Sequence, residues 1–154
     1  MRQIIAVSAI ALSLMSIVSV RGYQTHPQPM SEDIDVRFVP LQVFIDSGPT
    51  PLAAWQFELK APDDVKIVGV ENGEHEAFAE APYYDPAALM NNRIIIAAFS
   101  TADQLPNGKT RVATVHLQVI GDTEPEYKLT LTVAGDREGS EIPATITYFQ
   151  GEEK

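Results

Sequence analysis

From Val36 onward the chain is written largely in alternating apolar and polar positions. The clearest run is Thr110 to Ile120, TRVATVHLQVI. Ala113, Val115, Leu117 and Val119 fall on one side of an extended backbone, and Thr114, His116 and Gln118 on the other. A period of two predicts a strand with one face on a core and one toward water. Pro106-Asn107-Gly108 and Gly121-Asp122 bracket this strand as turns. The same grammar recurs on both sides of it. Val36 to Asp46 is strand-like but contains Pro40, which predicts an edge position or a bulge where one strand hands over to the next. In Ala53 to Lys60, Trp55, Phe57 and Leu59 point inward, while Ala54, Gln56 and Glu58 point outward. Val65 to Val70 follows and stops at Asn72-Gly73.

Arg93 to Ser100, with Ile94, Ile95 and Ile96 in a row, predicts a strand buried on much of both faces. Tyr127, Leu129, Leu131 and Val133 alternate, and so do Ile142, Ala144, Ile146 and Tyr148. Glu74 to Asn92 is a long irregular excursion. Within it, Asp85 before Pro86 is a helix N-cap with proline at the first helical position, and Ala87 to Met90 complete about one turn before Asn91-Asn92. Short strands with turn signals at roughly ten-residue intervals predict an all-β sandwich of jelly-roll type, with one short helix in a loop.

The pattern changes before Val36. Ile4 to Val20 carries no charge, follows Arg2 and ends at Arg21-Gly22. This predicts that residues 1–22 are a signal peptide or a signal anchor. The run is shorter than the roughly 20 residues of a comfortable membrane span. Residues 23–35, YQTHPQPMSEDID, are polar and hold two prolines, which predicts a flexible linker. The folded domain is expected over residues 36–150. The expected destination is the periplasm, the cell envelope or the medium.

Composition narrows the partners. Of 154 residues, 21 are acidic and 11 basic, a net charge of -10. Such a surface repels nucleic acid and anionic membranes, so membrane contact is expected only through an uncleaved N-terminal segment. There is no cysteine, which excludes disulfides, thiol catalysis and thiolate metal sites.

The candidate chemistry is sparse. His116 points outward from a strand with no acid or nucleophile at a motif spacing. His75 sits among Glu71, Glu74, Glu76 and Glu80, a solvated acidic edge. Asp136, Glu138 and Glu141 with Gly139 lack the spacing of a calcium loop and read as a turn. No carboxylate pair faces an evident cleft, and no phosphate loop, G-x-S-x-G or metal motif occurs. No catalytic residue, metal or cofactor is therefore expected. Trp55 belongs to the core by its register, while Tyr83 and Tyr84, in the excursion, are candidates for stacking on a sugar ring.

The strands taken in order resemble a cohesin domain over residues 36–149. The resemblance rests on F-x-L-K through V-x-I-V-G-V-E-x-G around Phe57 to Gly73, A-F-S at Ala98 to Ser100, V-A-T-V at Val112 to Val115, and the closing G-S-E-I-P-A-T-I. It implies a jelly roll of about nine strands that binds protein, catalyses nothing and takes no cofactor. It also implies contact through one sheet face, with outward Asn and Asp on the third strand in dockerin-binding members. The matching positions here are Ala54 and Gln56. The expected face comprises Ala54, Gln56 and Glu58, Ile95 and Ala97, and Thr114, His116 and Gln118, with an apolar middle, polar flanks and no aromatic ring. The functional expectation is an exported binding module with a protein partner, dockerin-like or otherwise. The alternatives are a carbohydrate-binding module that takes polysaccharide, and a small membrane-anchored component of an envelope assembly.

Overall fold

The computed structural model describes residues 35–122 and 124–151, all within one unit spanning Asp33–Lys154. The N-terminal segment and the linker up to residue 34 lie outside the described residues. Asp35 already belongs to the fold, since its carbonyl accepts from Gly121 N–H at 2.8 Å.

Among the described residues eight strands form: β1 (Val36–Asp46), β2 (Ala54–Lys60), β3 (Val65–Glu71), β4 (Tyr83–Tyr84), β5 (Arg93–Phe99), β6 (Lys109–Ile120), β7 (Lys128–Gly135) and β8 (Thr145–Gln150). They make two four-stranded sheets, ordered β3-β6-β1-β8 and β4-β5-β2-β7, with every pairing antiparallel. Every connection except β4 to β5 changes sheet, which is the winding of a jelly-roll sandwich. The inner faces meet in a core built from Leu41, Val43 and Ile45 on β1, Trp55, Phe57 and Leu59 on β2, Ile94 and Ile96 on β5, and Val115, Leu117 and Val119 on β6. Trp55 stacks on Phe57 at 5.6 Å and meets Phe78 edge-on at 5.9 Å.

The strand count among the described residues is eight rather than the nine that the resemblance implies, and Pro40 does not divide Val36–Asp46. Gly151 N–H donates to the Pro40 carbonyl, just beyond the end of β8. In an antiparallel ladder a residue turns its N–H and C=O to the same side. The N–H that proline lacks therefore points past the end of β8 and is not needed for pairing with β6. The register shift between β1 and β6 falls instead opposite Val43/Phe44, where Val112 of β6 is the extra residue.

Two further expectations are corrected. β5 is not buried on both faces: Ile94 and Ile96 are buried, but Ile95 between them is 45% exposed. Val133 does not continue the inward row of Leu129 and Leu131. A bulge opposite Gln56/Phe57 shifts the register, so Val133 faces out and Ala134 in.

The excursion is more ordered than its sequence shows. Asp85 caps a 3-10 turn at Pro86–Ala88 by accepting from Ala87 N–H, as the sequence predicts, but the turn is 3-10 rather than α. A second 3-10 turn, Glu76–Phe78, is capped by His75 Nδ1. Gly73 enters it where a Cβ would lie 2.8 Å from the Arg111 carbonyl, so only glycine lets the loop pass so close to β6.

Tyr127 is buried just before β7, edge-on to Tyr148 at 5.6 Å, and its hydroxyl has no hydrogen-bond partner among the described residues. Burial pushes its phenol up to about 12. In the unfolded chain the phenol ionises at its ordinary value, so above pH 10 the folded state binds more protons than the unfolded one. Stability therefore falls as pH rises through that window. Tyr127→Phe is expected to be at least as stable as wild type at neutral pH, since it deletes an unpaired buried hydroxyl. Its thermal midpoint should also decline less above pH 10.

Candidate binding face

The outer surface of the β4-β5-β2-β7 sheet is assembled from residues directly opposite one another on neighbouring strands. Tyr83, Ala97, Gln56 and Val133 form one row across all four strands. On one side of it lies the row Phe99, Ala54 and Gly135. On the other lie Ile95, Glu58 and Thr130, then Arg93, Lys60 and Lys128. Side chains on one face of adjacent strands touch, so each row is a unit of surface.

The centre of this face is apolar and open. Tyr83 and Phe99 are both 65% exposed, and their rings lie parallel, 7° between planes and 6.1 Å apart. Ile95 and Val133 add further exposed apolar surface. Ala54, Ala97 and Gly135 keep the floor low between them. A recess of about 440 Å³ opens beside Tyr83, lined by Gln56, Tyr84, Arg93, Ile95 and Ala97 among others.

The rim is polar and held in place. Gln56 Nε2 donates to Thr132 Oγ1 at 3.0 Å, and that hydroxyl donates to the Gln56 carbonyl at 3.1 Å. Arg93 Nη2 donates to Glu58 Oε2 at 2.7 Å. This bond to Arg93 lowers the Glu58 pKa and raises that of the guanidinium. The two ends of the face differ in charge. Arg93, Lys60 and Lys128 stand at one end, while Glu76 and Glu80 border the recess shared by Tyr83 and Phe99.

The expected face is therefore divided. Ala54, Gln56, Glu58, Ile95 and Ala97 come together here, but Thr114, His116 and Gln118 do not. They lie on β6, whose neighbours are β1 and β3, and so face outward from the opposite sheet. Thr114 is buried even there, because Arg111 Nη1 donates to its Oγ1 at 2.8 Å. His116 Nε2 stands 3.1 Å from Glu71 Oε1, close enough for a charge contact but without hydrogen-bond alignment.

The tyrosine pair is also divided. Adjacent residues of a strand point to opposite faces. Tyr83 faces out, whereas Tyr84 is half-buried against the core. The ring that joins Tyr83 is Phe99, so the sheet face is not free of rings. Its sequence signal was the parity of β5, which Phe99 shares with Ile95 and Ala97.

Glu74 and Asp136 are engaged locally. Glu74 Oε1 accepts from Arg111 N–H at 2.9 Å, and Asp136 Oδ1 accepts from Ser140 N–H at 2.8 Å to close its turn. Among the described residues no group of three or more His, Asp or Glu converges to hold a metal ion. No protein-family model matches the chain, and comparison with curated proteins and with solved structures finds no significant match.

Proposed function

We propose that this chain is an exported, non-catalytic binding module, similar to cohesin domains, that engages a protein partner through the outer face of the β4-β5-β2-β7 sheet. One observation carries the reading: exposed Tyr83, Phe99, Ile95 and Val133 gather on a low floor of Ala54, Ala97 and Gly135, inside a polar rim. An apolar centre ringed by polar groups is the anatomy of a protein interface, with aromatic residues as anchors. The low floor suits an amphipathic helix of the partner lying close to the sheet. The cohesin resemblance independently assigns contact to a sheet face.

The parallel rings of Tyr83 and Phe99 favour a second reading, a carbohydrate-binding module, because exposed rings stack on sugars as on other apolar faces. Two measurements on the same preparation separate the readings. Capture of a defined protein from envelope extract supports the first. Co-sedimentation with insoluble polysaccharide, lost in Tyr83→Ala with Phe99→Ala, supports the second.

Export rests on Arg2, the uncharged run Ile4 to Val20 and the polar exit. N-terminal sequencing of envelope-derived protein is expected to begin near Tyr23 for a cleaved signal. A start at residue 1 in the membrane fraction means an anchor, which suits a membrane-held component of an envelope assembly. Full-length protein in the cytosol refutes export.

A further inference from the structure

Two open sheets leave four edge strands, and each presents a row of backbone groups that another strand can pair with unless it is guarded. Among the described residues the edges are β3, β4, β7 and β8. β4 is two residues long. β3 is covered: Ile67 N–H donates to the Asn91 carbonyl and Met90 N–H donates to the Ile67 carbonyl, both at 2.8 Å. β7 carries Lys128 and a bulge. β8 has no such protection. It reads TITYFQ, without charge or proline, and pairs with β1 without a register shift. Among the described residues no backbone bond reaches its far side.

The direction of its free groups follows from one bond. Gly151 N–H donates to the Pro40 carbonyl opposite it at 3.0 Å. Bonding alternates along an antiparallel ladder. Phe149, Thr147 and Thr145 therefore bond to β1, and Ile146, Tyr148 and Gln150 turn their N–H and C=O groups to the open edge. Tyr148 and Phe149 remain 40% and 49% exposed.

We propose that β8 pairs antiparallel with β8 of a second copy of this chain, about a two-fold axis at Tyr148, joining two β3-β6-β1-β8 sheets into one. This register puts all three free residues into hydrogen-bonded pairs, Tyr148 facing its own counterpart and Ile146 facing Gln150. That makes about six ladder bonds. Between them, Thr147 faces Phe149. Because the strand has no charge, two copies meet no like-charge pair across the ladder. The contact is self-complementary and closes at two. The net charge of -10 on each copy opposes approach, so added salt should strengthen the dimer. The edge is separate from the partner-binding face, and neither assignment depends on the other.

The absence of cysteine allows a register-specific test on the full chain. Chains carrying Thr147→Cys and Phe149→Cys are mixed and mildly oxidised. These positions oppose each other in a non-hydrogen-bonded pair, where side chains are closest. The mixture should form a disulfide-linked dimer faster than Ala87→Cys, an exposed control on another surface. Adding Tyr148→Pro removes an N–H that points to the open edge and should abolish the cross-link. In the unsubstituted chain, amide exchange at Ile146, Tyr148 and Gln150 should slow as protein concentration rises. Cross-linking no faster than the control overturns the proposal. So does exchange at those amides that is independent of concentration: fast exchange means an open edge, and slow exchange means that another segment of the same chain fills it.

Discussion

Leu117→Ala is expected to destabilise the domain by about 2–5 kcal/mol, the range for truncating a buried leucine. Gln118→Ala, one residue along, should change stability by no more than about 0.5 kcal/mol, as at a surface site. Leu117 is fully buried on β6, between Val39 of β1 and Ile67 of β3. Its removal leaves a cavity between two strands that are themselves pinned by hydrogen bonds, so collapse around it is limited. Gln118 lies between Phe38 and Lys66 on the outer face of the same sheet, where water replaces what the side chain covers. Denaturant midpoints of the two variants give the comparison. Equal losses would mean that the inward and outward rows of β6 are exchanged.

Gln56→Arg combined with Ala97→Arg is expected to abolish partner capture while leaving the thermal midpoint nearly unchanged. The two residues are direct cross-strand neighbours at the middle of the proposed face. Both side chains point to solvent in the free protein, so the cations stay hydrated there. The fold loses mainly the Gln56–Thr132 hydrogen bond, worth roughly 1 kcal/mol. Binding would have to strip both guanidiniums of water, which costs several kcal/mol per ion when no counter-charge is supplied. His116→Arg with Gln118→Arg, on the opposite sheet, should leave capture intact. A pull-down with the three proteins in parallel decides the matter. Undiminished capture by the first variant, or loss in the second alone, moves the site off the β4-β5-β2-β7 sheet.

Alternation made the inward and outward rows of β2 and β6 legible, because the pleat is a local property of the chain. It could not say which sheet each strand joins. Strand pairing is a long-range choice, and β6 pairs with β1 and β3 while β2 pairs with β5 and β7. Thr114, His116 and Gln118 thus share the outward parity of Gln56 but lie on the other sheet. A bulge at Gln56/Phe57 turned Val133 outward, and no residue in β7 announces an extra position. Tyr83 and Tyr84 look like a pair in sequence, yet extended backbone sends neighbours to opposite faces. The pairing of Tyr83 with Phe99 was hidden because β4 is only two residues long. Pro40 signalled a break that its position past the end of β8 made unnecessary.

The strand order also bears on when the domain can form. β1 is hydrogen-bonded to β6 and β8, and β2 to β5 and β7, so each early strand waits for partners from the second half of the chain. The β4-β5-β2-β7 sheet is incomplete until β7 is present, and the β3-β6-β1-β8 sheet until β8 is present. Folds dominated by such distant pairings close on roughly the millisecond-to-second scale rather than in microseconds. A nascent chain would thus have neither sheet complete until its last two strands emerge, the condition under which a polypeptide can be threaded through a narrow channel before it becomes too wide to pass.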